Sequence, residues 1–443
     1  MLPGVIKTDP VSAAVEKIVA HTARVGVVGL GYVGLPFLVE KAKVGFSVVG
    51  IDRSAERASM VARGENYIGD VRDEDLRAVV EQGLVTTATT FDGVADLDVV
   101  VICVPTPLDR NLTPDLSYVR SVTHEIARHL RPGQLISLES TTYPGTTEEI
   151  MKPILEAGGL KAGVDFFLAH SPERVDPGNH LFNTQNTNKV VGGNDPASLE
   201  VAVAFYQQAI EHIVPVSSAK VAEMVKVYEN TFRSVNIALV NELAMLCDRM
   251  DISVWEVLDA AFTKPFGIMP FYPGPGVGGH CIPLDPHYLE WKAREFGFET
   301  RFIALASEIN RHMPDFTVNK VGRLLNEQGK AIKGSRILQL GMAYKRDIDD
   351  YRESPAIHVY QQLMDLGADI RFYDPHVQMV DDHGLKADGL SELSDEELQA
   401  ADLVIITTPH TSLDYGRVVE HSQLVFDTRN ATKGITSPKL TLI

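Results

Sequence analysis

Cys281 closes a glycine-rich run, Tyr272-Pro-Gly-Pro-Gly-Val-Gly-Gly-His-Cys-Ile-Pro-Leu-Asp285. Glycines have no Cβ, so backbone and ligand can approach closely there and the thiol stays uncrowded. His280 is adjacent, and Asp285 lies one turn on if a helix starts there. A thiolate in such a place can act as a covalent nucleophile; the other reading is a structural loop cysteine. Cys103, in an apolar strand pattern, and Cys247, in an amphipathic helix pattern, read as small buried hydrophobes. Three cysteines do not form a disulfide framework. No second Cys or His sits at ligand spacing from Cys281, so no metal is expected. Lys226 and Asn230 are an i, i+4 pair on a helical stretch, and Asn241 continues their line. Lysine can steady an alkoxide or take a proton, and asparagine can donate to an oxyanion; the alternative is a solvated helix face. Ser171-Pro-Glu173-Arg174 follows a strand-like Phe166 to His170. It places a carboxylate at a strand end, where α/β sites gather.

Gly29, Gly31 and Gly34 have the G-x-G-x-x-G spacing, with Tyr32 and Val33 inside it. The first glycine permits a tight turn, the second lets backbone approach a pyrophosphate, and the third lets helix and strand pack closely. The following helix offers unpaired N–H groups to the phosphate. About twenty residues on, a strand ends in Asp52, which can accept from a ribose hydroxyl and would repel a 2′-phosphate. NAD is therefore expected rather than NADP. The plainer alternative is a structural turn with Asp52 capping the next helix.

The elements that must hold these residues are legible as a repeat. Apolar strands around Arg24, ending at Asp52, ending near Pro105 and Pro107, and ending at Thr142 alternate with helical stretches. That is the pattern of a parallel sheet covered on both faces. The order returns near the C-terminus, from Arg336, ending at Asp374, at Pro409 and at Arg429. There the turn is Gly341-Met-Ala-Tyr-Lys345, without the second and third glycines, and Arg346, Arg352 and Arg429 accompany Lys345. These cations fit a second, differently shaped phosphate ligand; singly, each also reads as a solvated surface charge. Between the two halves, Ser218 to Met250 is helical in pattern. Val221, Val225, Tyr228, Phe232, Val235 and Leu239 form an apolar stripe, read as buried.

The chain's 443 residues amount to about three domains of roughly 150 residues. Lys plus Arg is 41 and Asp plus Glu is 59, a net charge of −18. That excludes a general nucleic-acid binder but not local capture of small anions. Apolar runs such as Val99 to Val104 are too short to span a bilayer, and Lys7, Asp9, Glu16 and Lys17 interrupt the stretch before His21. A cytoplasmic protein with no membrane partner is expected.

Together the motifs GLGYVGLP from Gly29, VPTP to Pro107, ESTTYPGTT from Glu139, SPERVDPGN from Ser171, KVYENTFRSVNIALVNE from Lys226, GPGVGGHCIPLDP from Gly274, GMAYKRD from Gly341 and RESPA from Arg352 carry a resemblance. The chain resembles the UDP-glucose/GDP-mannose dehydrogenases, the nucleotide-sugar 6-dehydrogenases, along nearly its whole length. The stretch from Lys264 looks most like the bacterial UDP-N-acetylglucosamine 6-dehydrogenases. His280, Leu284 and Pro177 depart from the UDP-glucose branch, and UDP-N-acetylmannosamine enzymes share the Gly-His-Cys element.

The resemblance implies an α/β chain of two Rossmann-like domains, the first binding NAD and the second a UDP-sugar, joined by a helical middle domain with a long central helix. The expected divisions are an extension over 1–22, an NAD domain over 23–215, a helical domain over 216–325 and a UDP-sugar domain over 326–443. It implies that Cys281 attacks the C6 aldehyde, that Lys226 and Asn230 hold the oxyanion, that Asp285 assists the base or water, and that Thr142 and Glu173 are polar helpers. Tyr32, Val33, Arg57, Thr106 and Arg352 join the glycines and Asp52 in holding the cofactor. Arg174, Tyr272, Gly278, Lys345 and Arg429 contact the UDP-sugar. A homodimer or larger homo-oligomer across the long helix is expected. A non-catalytic sensor on the same fold would have lost its nucleophile or base. A two-electron 3-hydroxyacid-type dehydrogenase would need neither Cys281 nor the second α/β domain.

Overall fold

Runs of β-branched residues become strands because their stiff side chains suit a pleated, buried surface. In the computed structural model these are β1 (Arg24–Val28), β2 (Ser47–Ile51), β3 (Val85–Ala88), β4 (Val99–Ile102), β5 (Leu135–Leu138), β6 (Phe167–His170), β7 (Lys189–Gly193) and β8 (Ile213–Val216). The structure describes residues 9–443 except 70, 110, 176–180, 280, 281 and 383. The chain divides into two compact units, Met1–Glu229 with Arg294–Phe296, and Asn230–Ala293 with Gly297–Ile443.

In the first unit the strands form one sheet in the order β3-β2-β1-β4-β5-β6-β7-β8. The order reverses about β1, whose neighbours are β2 and β4; such a switch point opens a crevice at the carboxyl ends of the strands. Neighbouring strands run parallel except β6 and β7, which pair antiparallel through Ala169–Gly193 and His170–Gly192. Every residue of β4, β5 and β6 is buried, as expected of strands covered on both faces. The core gathers Val25, Val27, Phe37, Leu38, Val101 and Phe205.

The second unit repeats this arrangement. Its strands are β9 (Arg336–Leu340), β10 (Asp369–Tyr373), β11 (Met379–Asp382), β12 (Leu385–Asp388), β13 (Leu403–Ile406), β14 (Val425–Asp427) and β15 (Leu440–Leu442). Five of them form a parallel sheet ordered β10-β9-β13-β14-β15, and β11 pairs with β12 as a hairpin. The order β10-β9-β13-β14 reproduces β2-β1-β4-β5, so the repeat read from the sequence is a repeat of topology. The chain is α/β, with two Rossmann-like halves and helices between them, as expected.

The long helix runs Ala219–Met250 and spans both units. One expectation about it fails. The apolar stripe is not buried: Tyr228 and Leu239 are each 62% exposed, Val221 and Phe232 are exposed, and Val225 and Val235 are half-buried. The buried face instead carries Ala222, Val227, Asn230, Thr231, Ser234, Ala238 and Asn241. Small and polar residues let neighbouring backbone come close, so the helix turns this side inward and presents its larger apolar side chains to solvent. Among the described residues no helix is long and apolar enough to cross a membrane.

Candidate active site

The three turn glycines have three different surroundings. Gly29 has φ +91°, and a Cβ there would come within 2.4 Å of the Cys103 carbonyl oxygen. A Cβ on Gly34 would stand 1.8 Å from the Gly29 carbonyl oxygen. Neither position can take a side chain. At Gly31 a Cβ would meet nothing within 4 Å. The space over Gly31 is an open cradle at the start of helix Gly34–Lys43, where Leu35 N already donates to the Gly31 carbonyl at 3.0 Å. Tyr32 is exposed beside it and Val33 half-buried. Asp52 accepts from Leu30 N at 2.8 Å and Ser54 N at 2.8 Å. It does not cap the next helix; Ser54 does. Two donors leave about half of a carboxylate's four lone-pair positions open for ribose hydroxyls. The residues fit a dinucleotide. Arg57 is exposed on the following helix, and Thr106 donates to the Thr141 carbonyl at 2.7 Å.

At the carboxyl ends of β5 and β6 the first unit buries charge. Lys189 Nζ lies 2.8 Å from Glu139 Oε2 and 3.1 Å from Glu173 Oε2. Burial alone would raise the Glu173 carboxyl, but Lys189 and the N–H groups of Val175 and Arg174 outweigh it and hold it below the ordinary range. Glu139 stays raised by its burial. Arg174 is tied down within its own unit: its guanidinium donates to both oxygens of Glu229 and to the Asn188 carbonyl. Thr142 is buried against Thr146, Oγ1 to Oγ1 at 2.6 Å. Thr146 spends its hydroxyl hydrogen on the Tyr143 carbonyl, so Thr142 is the donor of that pair. The same turn is strapped to the long helix by Glu223, which accepts from Gly145 N, Thr147 N and Thr147 Oγ1 at 2.5, 2.8 and 2.5 Å. Burial pushes the Glu223 carboxyl up to about 7 despite these donors. Lys226, half-buried, follows Glu223 by three residues on the helix.

In the second unit the Asn230 side chain donates to Asp285, the first residue of helix Asp285–Arg294; both are buried. The solvated-face alternative for Asn230 is therefore removed. Asn241, also buried, accepts from Gly274 N at 3.0 Å and donates to Asn310.

The glycine loop needs a correction. Its glycines were read as making room for a ligand; all four also make room for the chain itself. A Cβ on Gly274 would fall 2.3 Å from Arg429 Nη1, and one on Gly276 2.8 Å from Pro355. On Gly278 it would meet Tyr344 at 2.7 Å, and on Gly279 the Tyr344 ring at 2.9 Å. The loop thus lies flat on Arg429 and on the residue before Lys345, which brings three separately identified segments together. Arg429 donates through Nε to the Thr407 carbonyl, and burial lowers its pKa to about 10. Tyr272 stacks on Trp255 and donates to Asp259. Lys345 is half-buried, and Arg352 is exposed and held by both oxygens of Asp350. Cys281, His280 and Pro177 lie outside the described residues.

The second glycine turn is filled. Asp374, at the end of β10, accepts from Met342 N, Ala343 N, His376 N, Val377 N and His410 Nε2. His410 is fully buried, and its Nδ1 accepts from Asp347 N at 3.0 Å, so the ring hydrogen must sit on Nε2. Burial works against the Asp374 charge, but His410 and the backbone donors hold its pKa down to about 2. Asp347, His376 and His410 bring three ligand-type atoms within 4.8 Å of one another, but both nitrogens of His410 are already engaged. Sequence reasoning matched Asp374 to Asp52 by position and missed its partner His410. It also missed Lys189 and Glu223, since Lys and Glu ordinarily read as surface charge.

Comparison with known proteins agrees with this architecture. Residues 23–210 match the NAD binding domain of the UDP-glucose/GDP-mannose dehydrogenase family, 220–312 its central domain and 338–434 its UDP binding domain. A UDP-N-acetyl-D-mannosamine dehydrogenase of Pyrococcus horikoshii is 34% identical over 93% of this chain and 96% of its own length. A UDP-N-acetyl-D-glucosamine 6-dehydrogenase of Pseudomonas aeruginosa is 34% identical over 88% of this chain and 90% of its own. The solved structure of the UDP-D-ManNAc dehydrogenase from Pyrococcus horikoshii superposes with a TM-score of 0.86 at 32% identity, covering 95% of this chain and 99% of that one. The chain belongs to the UDP-glucose/GDP-mannose dehydrogenase family and is an NAD-dependent nucleotide-sugar dehydrogenase.

Proposed function

We propose that the chain oxidises the C6 alcohol of a UDP-N-acetylhexosamine to the carboxylate, with UDP-N-acetylglucosamine as the first reading of the sugar. The observation that carries the proposal is the buried pair Asn230–Asp285, an amide from the long helix joined to the carboxylate that follows the Gly-His-Cys loop. Bound NAD supplies the hydride acceptor, held by the Gly31 cradle and Asp52. Lys226 steadies the developing alkoxide as C6 becomes an aldehyde, and Asp285 assists the base that takes the hydroxyl proton. The Cys281 thiolate then adds to that carbon, and Lys226 and Asn230 steady the oxyanion of the thiohemiacetal. A second hydride passes to a second NAD, which must replace the spent cofactor, and leaves a thioester. Water, oriented by Asp285 with Thr142 and Glu173 as polar helpers, releases the acid and frees the thiol. A covalent thiol keeps the aldehyde bound between the two oxidations, which is what a four-electron reaction needs. Lys345 and Arg429 contact the UDP-sugar, with Tyr272, Gly278 and Arg174 as further contacts; Arg57, Thr106 and Arg352 serve the cofactor. Both ligands are cytoplasmic metabolites, and the reaction is read as cytoplasmic.

The sugar has a second reading, UDP-N-acetylmannosamine, favoured by the name of the Pyrococcus relative and its solved structure; UDP-glucose is the third. Purified protein is mixed with NAD and each UDP-sugar in turn while NADH absorbance is followed. Two NADH per molecule of one N-acetylhexosamine derivative support the proposal. No turnover with any UDP- or GDP-sugar overturns it, and one NADH per sugar removes the covalent route. The exposed stripe of Val221, Tyr228, Phe232 and Leu239 supports assembly as a homodimer or larger homo-oligomer through the long helix.

A further inference from the structure

Lys189 has no part in the proposed chemistry, yet it is 3% exposed and stands between two carboxylates. Replacing a buried ion pair by apolar side chains is often neutral or stabilising, so stability gives no reason to keep it. Topology supplies one. The first residue of a parallel strand lies at the amino end of the sheet, away from the site. Because β7 runs antiparallel to β6, its first residue, Lys189, lies beside the carboxyl ends of β5 and β6. Glu139 directly follows β5, and Glu173 follows β6 by three residues.

The segment from Ser171 to Arg174 is clasped to the start of β7 by contacts that do not need the lysine. Ser171 Oγ donates to the Val190 carbonyl at 2.9 Å, and Arg174 Nη1 to the Asn188 carbonyl at 2.6 Å. Lys189 adds charge to a clasp that is already shut. Glu173 Oε1 is taken by Arg174 N and Val175 N, and Oε2 faces Lys189.

We propose that Lys189 is a positioning residue for the reaction, fixing Glu173 as an oriented anion at the mouth of the sheet. The proposal rests on the role given to Glu173 above. Other titratable groups around the pair, among the described residues, do not substitute for it. Glu139 after β5 is a like charge, and Tyr206 on helix Pro196–Tyr206 donates to Glu139. His170 on β6 is kept neutral, its pKa brought down by burial to about 3. Cys103 after β4 is kept a thiol by burial. Lys41 on helix Gly34–Lys43 donates to the Phe205 carbonyl, and burial lowers its pKa to about 7. Arg174 spends its guanidinium on Glu229 and Asn188.

The test compares K189M, K189R and E173Q with the unmodified protein across pH 5.5–9.5, reading kcat and the KM for NAD with the UDP-sugar that turns over. Without its cation, Glu173 beside Glu139 should titrate at higher pH. In K189M kcat is then expected to fall about tenfold more at the acid end than at the alkaline end, about one pH unit of displacement in the acid limb, with the KM for NAD unchanged. K189R should restore the profile. If K189M is not recovered folded, K189M/E139Q, which removes the second buried charge, is read the same way. A K189M profile that overlays the unmodified one while E173Q is impaired overturns this proposal alone. Equal loss at every pH, unrescued by arginine, reduces Lys189 to a structural part and also overturns it. E173Q with full activity at every pH removes the role of Glu173 and this proposal together.

Discussion

The side-chain amide of Asn230 and the carboxylate of Asp285 are hydrogen-bonded in the interior of the second unit, 55 positions apart in sequence. They come from two different helices, and the hydrogen bond ties one side chain to the other. If both act on one reacting carbon, their removal should not be independent. Asn230→Ala is expected to lower kcat roughly 10²- to 10³-fold, the usual cost of one oxyanion donor, with NAD affinity unchanged. Asp285→Asn should be comparably slow. The double variant should lose clearly less than the product of the two, because residues in one network are not additive. Full additivity in steady-state kinetics would show that the two work separately.

Gly31 and Gly34 make opposite predictions from the same substitution. A methyl at Gly31 meets no protein atom. Gly31→Ala should fold with stability within about 0.5 kcal/mol of the parent but bind NAD at least tenfold more weakly, because the methyl enters the cradle. Gly34→Ala would drive its Cβ into the Gly29 carbonyl. It should cost about 1–3 kcal/mol of stability or more. Thermal melts with and without NAD separate the two, and identical behaviour would refute the division of roles.

Glu223 makes a prediction with a sign. Its folded pKa, about 7, is raised by burial above the ordinary carboxylate value. Between these two pH values the folded chain keeps a proton that the unfolded chain has released. Stability from this group is therefore greatest at acid pH and declines as pH rises toward 7. Glu223→Gln abolishes the decline. The lost hydrogen bonds add an offset that does not vary with pH, so the slope is the test. Relative to the parent, the glutamine variant should gain up to about 3 kcal/mol between pH 5 and pH 8 in urea titrations. Parallel curves would mean that Glu223 is ionised throughout.

Leu239, the last residue of the stripe on the long helix, is 62% exposed. If that stripe is covered by a second copy, Leu239→Glu places like charges in an apolar contact. The mass by light scattering should fall to that of one chain, 48.6 kDa, at micromolar concentration. An unchanged oligomer would move the interface elsewhere.

The sequence made the first glycine turn readable because each glycine answers a separate steric demand; the tight turn at Gly29 and the close packing at Gly34 are found, and the space over Gly31 is open. It made the two halves readable because buried parallel strands are written in consecutive β-branched residues. The long helix shows the limit. Periodicity identified its apolar face but could not say what that face meets. The inward side is built from Ala222, Ser234, Ala238 and Asn241, which carry little hydrophobic signal. Lys189 was invisible for another reason. Its burial depends on β7 running backwards, and strand direction is set by pairing with β6 rather than by the residues of β7. The loop glycines were noticed without their protein neighbours Arg429, Tyr344 and Pro355, since glycine reports that something comes close and not what.

Asp52 accepts two donors and Asp374 five. A carboxylate has about four lone-pair positions, so the first has vacancies and the second is oversubscribed. The two halves share a strand order without sharing an open acceptor at the matching position. The acceptor capacity that Asp52 keeps open in the first half is already taken up inside the protein at Asp374 in the second. Removing His410 would not empty that position, because the N–H groups of Met342, Ala343, His376 and Val377 still fill it.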